Sequence, residues 1–519
     1  MADVLLFLAL SFGRMLAAYM ISLVLALVLG YYMAKEQIIE RILMPILDIL
    51  QAIPILIFFP PAIYFFIDKI PGGLGVEVAA IFLIVTSMVW NMIFSVYEGF
   101  YSLKGSMKDL GKLFRVNEFD KLFKIYFPYI SMGLISNSLV SWAIGWYFLI
   151  ATEVISVGHS SFELKGIGNF IMTSAKNGDI GGILTGLALV SGLIIFMDIV
   201  IWRPLMNMTS RYLKGKRDSM IYDKTLDAVP KSSINLSGIV RPAAGWIENS
   251  VILPIAMTAR SPAINSGIII AKEAIKYGIL LFIAAIVGFF LWVCYSILPT
   301  VTLGDISMTA SAFVYSLARI IIAFALSMLW VVPAVYLITR NKDIEEKLIR
   351  YTEVISSIPA SAIFPAAILI LVSIFGNFEI VTILFLMTGI QWYLFFNVYG
   401  GLKSVPDYVY DLKSVFGIRN GRFLRKAILP FIMPFLIIGS IAAIGSGWNT
   451  TIIAEYVQLG GTKFQVWGIG SMVQNALADG NVKTMFLSAF AVCTIIPIIH
   501  ITLSRPMMRA SIRRRGPVV

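Results

Sequence analysis

Two carboxylates stand where charge is costly. Glu153 and Glu455 each close a long apolar run, a short way after a tryptophan, Trp146 and Trp448. A carboxylate placed there can stand near the external mouth of a solute path. Ionisable groups inside apolar segments are functional by default. The plainer alternative is a solvated carboxylate at the outer interface with its tryptophan as anchor. Asn449, Thr450 and Thr451 follow Trp448, whereas Tyr147, Phe148 and Leu149 follow Trp146. A cavity lined from both places would be asymmetric. Trp146, Glu153, Trp448, Asn449, Thr450 and Glu455 are therefore the candidates for lining a solute path. Asp198 and His500 take equivalent places near the ends of two later runs. Snorkelling or helix packing suits them better than a proton relay.

Other chemistry is sparse. No Gly-x-x-x-x-Gly-Lys-Ser/Thr loop is present to cradle a nucleotide phosphate, and neither a metal-ligand cluster nor a nucleophile–base arrangement emerges. The chain is expected to hydrolyse nothing by itself and to carry no resident cofactor or metal. Cys294 and Cys493 lie in apolar runs and read as packing residues.

The elements that must position these residues are membrane helices. Of 519 residues, 59% are hydrophobic and 13% charged, against about 45–50% and about 25% in soluble proteins. Mean hydropathy is +0.87. Apolar runs of bilayer-spanning length predict spans at 5–33, 45–67, 76–97, 128–152, 183–204, 277–298, 310–339, 355–375, 378–400, 430–454 and 484–504. The fold expected is all-α and polytopic, with about eleven transmembrane helices. The first run is too long for the apolar core of a cleavable signal peptide and reads as a retained span.

Orientation follows from Lys and Arg. The stretches 101–127 and 402–426, and the segments after Arg203 and Arg505, hold most of the basic residues, while the alternate loops hold few. The positive-inside rule places the basic group in the cytoplasm, the N-terminus outside and the C-terminus inside. The net charge of +12 is thus loop charge facing membrane lipid, and no nucleic acid partner is implied. The polar stretch 207–276 reads as a cytoplasmic linker.

The chain also repeats itself. An offset of 302 residues brings Trp90 onto Trp392, Gly99 onto Gly401, Asp109 onto Asp411, Pro128 onto Pro430 and Gly145-Trp146 onto Gly447-Trp448. The same offset pairs Glu153 with Glu455, Gly166-Ile167-Gly168 with Gly468-Ile469-Gly470, Gly178 with Gly480 and Arg203-Pro204 with Arg505-Pro506. A three-residue gap then brings Arg14, Pro54 and Pro60 onto Arg319, Pro359 and Pro365. Five spans per copy would invert the second copy, but the extra span near 277–298 restores its direction. These are parallel repeats about an axis along the membrane normal. The organisation expected is a first repeat over 1–206, a linker over 207–276, an extra span and external loop over 277–309, and a second repeat over 310–519.

The basic loops read DLGKLFRVNEFDKLFKIYFP from Asp109 to Pro128 and DLKSVFGIRNGRFLRKAILP from Asp411 to Pro430. Both resemble the cytoplasmic loop of permeases of binding-protein-dependent ABC importers, whose pattern is Glu-Ala-Ala, three residues, Gly, nine residues, Ile, one residue, Leu-Pro. Asp109 and Asp411 fall where the Glu belongs, and Gly417, Ile125, Leu429-Pro430 and Pro128 match later positions. Leu110-Gly111 and Leu412-Lys413 replace the Ala pair, and Arg115 replaces Gly in the first copy. The segments AIPILIFFPPAIYFF, SIPASAIFPAAILILVSIFG and GWNTTIIAEYVQLGG resemble the nitrate/sulfonate/taurine-type subgroup.

The resemblance implies two type I ABC permease-like repeats fused in one chain. It implies ABC ATP-binding subunits docked inside on loops containing Asp109, Leu110, Gly111, Arg115, Pro128, Asp411, Leu412, Lys413, Gly417 and Pro430, with ATP bound by those partners. An external substrate-binding protein would deliver a small solute, an oxyanion or sulfonate among the options, for import by alternating access in the cell membrane. A short amphipathic loop helix can dock into a partner's groove, and aspartate suits its first turn. The competing function is a secondary transporter driven by an ion gradient, which needs buried carboxylates or histidines in mid-span.

Overall fold

The computed structural model describes residues 2–101, 127–156, 164–206 and 273–507, apart from isolated positions and short stretches within them. In the first half, α1 (Ala2–Lys35) is followed by α2 (Gln37–Leu50), a 3-10 turn (Ile55–Phe58), α3 (Leu74–Tyr101), α4 (Phe127–Ser156), α5 (Ile167–Lys176) and α6 (Ile180–Met197). In the second, α7 (Leu303–Ile338) is followed by α8 (Ala360–Phe375), α9 (Phe378–Lys403), α10 (Leu429–Ala454), a hairpin of β1 (Tyr456–Leu459) and β2 (Thr462–Gln465), α11 (Ile469–Ala478) and α12 (Val482–Ile499). In β1–β2 the strands are antiparallel, with Tyr456 opposite Gln465. Among the described residues, eight helices are long and apolar enough to cross a membrane: α1, α3, α4, α6, α7, α9, α10 and α12.

The repeat seen in the sequence is a repeat of structure. In each half the first helix packs on the third, α1 on α3 and α7 on α9, and those pack in turn on α4 and α10. Gly178 and Gly480 adopt φ of +67° and +65° at equivalent turns before α6 and α12, a conformation glycine takes without steric penalty. The next residues, Asp179 and Asn481, cap those helices, their side chains accepting from the N–H groups of Gly182 and Thr484. Asp198 and His500 each open a π turn that extends the same helices.

Three of the eleven expected spans are not among these eight helices: 277–298, parts of which lie outside the described residues, and two that prolines interrupt. Residues 45–67 are not one helix, because α2 ends at Leu50 and the chain passes Pro54 into the short 3-10 turn. In the equivalent 355–375, Ile355 and Ser356 are helical and a new helix starts at Ala360, after Pro359 in an extended conformation. Proline lacks an N–H and disfavours helix in the residue before it, so Ile53-Pro54 and Ile358-Pro359 break the run at the same place in both copies. The linker expected over 207–276 lies outside the described residues up to 272. Lys276, just before the expected extra span, lies 3.2 Å from Glu36 at the end of α1. That hydrogen bond holds its ammonium above the ordinary lysine range.

Beyond each proline the chain crosses to the other half. The turn Ile55–Phe58 lies against α10 and α12, and α8 lies against α4, α5 and α6. The turn also packs on α3 and α8 on α9, so equivalent segments bridge the two halves. Strand β1 also touches α5, so the ends of α4 and α10 lie at the same end of the molecule.

Close packing of α1 on α3 depends on small residues. A Cβ built on Gly30 would stand 2.7 Å from Val96 Cβ. Gly30→Ile should cost about 1–3 kcal/mol through overpacking, read as a lowered Tm of the detergent-solubilised protein by tryptophan fluorescence. An unchanged Tm would show that α1 and α3 do not meet there.

Candidate functional site

Glu153 and Glu455 are completely buried and each sits at the centre of an ion network. In the first half, Glu153 Oε1 accepts from Arg14 Nη1 and from Ser11 Oγ, both at 2.7 Å, and Oε2 accepts from the Gly168 N–H at 2.8 Å. Arg14 also grips Glu77 through two bonds of 2.6 Å and donates to the Lys165 carbonyl. In the second half, Glu455 Oε1 accepts from Ser316 Oγ at 2.6 Å and Arg319 Nη1 at 2.9 Å, and Oε2 from the Gly470 N–H at 2.8 Å. Arg319 grips Glu379 at 2.6 and 2.7 Å. The serines complete the pattern by accepting from the N–H groups of Ile167 and Ile469.

Local structure explains the arrangement. The Arg and Ser lie one helical turn apart on α1 or α7, the outer Glu in the first turn of α3 or α9, and the buried Glu at the end of α4 or α10. The start of α5 or α11 supplies N–H groups that have no intrahelical partner. A Cβ on Gly166 or Gly468 would overlap the adjacent buried carboxylate, so glycine is required for the close approach. Burying a charge is unfavourable unless it is paired and hydrogen-bonded. Both oxygens of each buried Glu are engaged, and Arg forms a bidentate fork on the partly exposed outer Glu.

The expectation of a solvated interfacial carboxylate is therefore replaced by a buried, arginine-held one. Trp146 and Trp448 also pack inside their own halves. Trp146 is fully buried beside Trp142, at a ring separation of 6.5 Å, and Trp448 stacks on Phe313 at 4.8 Å. The sequence reading aligned Arg14 with Arg319 but gave them no role, and it did not single out Ser11, Glu77, Ser316 or Glu379. The available signal was a pair of arginines recurring inside apolar spans, at the offset of the neighbouring prolines.

Asn449 and Thr450 do meet the other half. Asn449 Oδ1 accepts from the Ile55 N–H at 2.7 Å. Thr450 Oγ1 lies 3.4 Å from the Tyr147 hydroxyl, which donates to it, and Ser361 Oγ donates to the Tyr147 carbonyl at 3.0 Å. Positions 147 and 449 are repeat equivalents, so the same place in each half makes a contact across the boundary with different chemistry. Among the described residues no cluster of His, Cys, Asp or Glu could hold a metal.

At the opposite end of the bundle a second duplicated contact recurs. Tyr97 donates to Glu40 at 2.6 Å and Tyr399 to Glu345 at 2.9 Å, the latter Glu also pairing with Lys403 at 2.8 Å. Of the loop residues expected to dock partners, Asp109, Leu110, Gly111, Arg115, Asp411, Leu412 and Lys413 lie outside the described residues. Pro430 lies inside a helical run that starts at Asn420, directly after the π turn Leu424–Ile428, and Pro128 is the second described residue of α4. Gly417 is exposed with φ of +57°.

A family model described as the binding-protein-dependent transport system inner membrane component matches residues 22–201 and again 334–515. The chain belongs to this family. It carries two copies in one polypeptide, which makes it a fused, multi-pass permease and a transport component, not an enzyme. Arg14 and Arg319 fall outside both matched segments. Similar proteins include a nitrate import permease of Leptolyngbya laminosa, 22% identical over 170 residues, which are 33% of this chain and 56% of that protein. A bicarbonate transport system permease of Synechocystis is 22% identical over 188 residues, 36% and 63% of the two chains. A glycine betaine/carnitine transport permease of Listeria monocytogenes is 26% identical over 180 residues, 34% and 57%. The match thus spans less than two thirds of each of these relatives.

Breaking one side of a buried ion pair costs about 3–5 kcal/mol, because the other charge stays buried. Arg14→Met should destabilise the solubilised protein by about that much, and Arg14→Met combined with Glu153→Gln by less than the sum of the singles. A denaturant double-mutant cycle measures this. Strict additivity would show that the two groups do not interact.

Proposed function

We propose that the chain is the membrane-spanning permease of an ATP-driven ABC importer, its two fused halves replacing a dimer of single permease domains. The observation that supports this most is the double family match, combined with halves that are bridged by equivalent segments across a polar boundary. In this reading the translocation path runs along that boundary beside Asn449 and Thr450. The Arg–Glu networks hold each half rigid at the external end, while Trp146, Glu153, Trp448 and Glu455 support the path from within each half. ABC ATP-binding subunits dock inside on the loops of Asp109–Lys124 and Asp411–Lys426. A substrate-binding protein delivers the solute outside.

The N-terminus then lies outside and the C-terminus in the cytoplasm, a reading that the distribution of basic residues supports. The relatives are named for nitrate, bicarbonate and glycine betaine/carnitine, which supports a small solute bearing acceptor oxygens, an oxyanion or a carboxylate. An ion-gradient mechanism is less well supported. The two buried carboxylates it could use are each held by an arginine, a serine and a backbone N–H.

Docking is testable in the full chain reconstituted with its ATP-binding subunits and binding protein. Charge reversal of Asp109 and Asp411 together should uncouple ATP hydrolysis from uptake of radiolabelled nitrate, bicarbonate or glycine betaine, with the membrane domain still folded. Unchanged assembly and stimulation would exclude these loops as coupling elements. Gly417→Val should weaken assembly as well, since a β-branched residue at positive φ is a steric outlier. Normal assembly by that variant would mean the turn is not part of the contact.

A further inference from the structure

The boundary between the halves is held by neutral polar groups, and its two equivalent positions are chemically unequal. Residue 449 is an asparagine whose Oδ1 caps a backbone N–H of the other half, at 2.7 Å from Ile55 N. Its repeat equivalent, residue 147, is a tyrosine. Tyr147 meets the other half through its hydroxyl, at Thr450 Oγ1, and through its carbonyl, at Ser361 Oγ. Ser361 and Thr450 are buried, at 0% and 1% exposure, while Tyr147 and Asn449 are half-buried, so these contacts stand at the edge of the packed boundary. No charged side chain takes part in them.

Two of the contacts join a continuous helix of one half to the segment that follows a proline in the other, Ile55 after Pro54 and Ser361 after Pro359, and the third, Tyr147 to Thr450, joins α4 directly to α10. Moving the halves apart would release the Ile55 N–H and the hydroxyls of Ser361 and Tyr147 together, whereas Thr450 keeps its own bond to the Ser446 carbonyl. A released buried donor is unfavourable until it finds another acceptor. The packing reinforces the point: a Cβ on Gly389 would run into Thr450 Oγ1, so Thr450 is backed by α9 and its hydroxyl has little freedom to turn away.

We propose that Asn449 and Tyr147 are the two unequal jaws of the constriction that closes the translocation path, and that Asn449 is its specificity-determining residue. The jaws part when a solute supplies the acceptors that the released N–H and hydroxyl groups lose. The chemistry selects a small solute with several acceptor oxygens and rejects apolar molecules and bare cations, for which the donors stay unsatisfied. This rests on the importer reading above and adds to it the residues that gate passage.

The test uses the full chain with Cys294→Ser and Cys493→Ser as background, assembled with its ATP-binding subunits and binding protein. Ile55→Cys with Asn449→Cys should be joined by a short bis-maleimide at rest and several-fold less in the complex trapped with ATP. In separate variants, Asn449→Leu keeps the shape and removes the acceptor. It should lower uptake of nitrate, bicarbonate or glycine betaine per ATP hydrolysed by on the order of tenfold, with assembly unchanged. Asn449→Gln, which keeps the amide, should restore part of the loss. Equal cross-linking in both states, or uptake per ATP unchanged in Asn449→Leu, overturns the constriction while leaving the importer reading intact. Failure of the unsubstituted chain to associate with any ATP-binding subunit overturns the importer reading, and the constriction falls with it.

Discussion

An arginine buried in the membrane end of a helix bundle has to be satisfied on every side, and that requirement shapes each half of this protein. Arg14 cannot reach Glu77 and Glu153 together unless the start of α1, the start of α3 and the end of α4 converge. Glu153 in turn needs the backbone N–H of Gly168 and the hydroxyl of Ser11, which fixes the start of α5 against α1. Arg319, Glu379, Glu455, Ser316 and Gly470 repeat the arrangement bond for bond. Hydrophobic attraction does little to bring helices together in lipid, so a network that would be left unsatisfied by any looser packing carries unusual weight in defining the structure.

The same networks divide each half into a held part and a free part. Helices α1, α3, α4 and α5 are tied at one end, as are α7, α9, α10 and α11. The segments interrupted by Pro54 and Pro359 take no part in the networks and instead reach the opposite half. Proline makes this possible by ending the helix where the chain must change direction. Rigid halves joined through short crossing segments and a thin layer of neutral hydrogen bonds suit relative movement of two bodies, because few bonds break when they part. At the far end, the Tyr97–Glu40 and Tyr399–Glu345 contacts tie the helices that lead into the two basic loops to the segments that run up to the prolines. Motion at those loops therefore has a physical connection to the boundary between the halves.

Much of this was legible in the sequence, for identifiable reasons. Duplication showed in Trp, Pro, Gly, Asp and Glu, which are rare enough in apolar helices for coincidence at one offset to mean descent from one unit. Membrane class followed from composition alone. The broken spans were harder, because Pro54 and Pro359 lie in runs apolar enough to pass as helices, and hydropathy does not register a change of direction. Glu153 and Glu455 were noticed as unusual, but their environment was misread: nothing local to Trp146 or Glu153 announces that an arginine from α1, more than a hundred residues earlier, closes over the carboxylate. Asn449 and Thr450 were singled out by their contrast with Tyr147 and Phe148, and that asymmetry does fall on the boundary.

The central structural claim is that the two halves lie in the same direction, with both Arg–Glu networks at one face and the basic loops at the other. Single cysteines at Leu74 and Phe375, both exposed beside the networks, and at Val415, exposed in the second basic loop, read this directly in a background lacking Cys294 and Cys493. With a membrane-impermeant maleimide on intact cells, Leu74→Cys and Phe375→Cys should both be labelled and Val415→Cys only after permeabilisation. Labelling of Leu74→Cys and Phe375→Cys from opposite faces would contradict the parallel arrangement and, with it, a path formed between two equivalent permease halves.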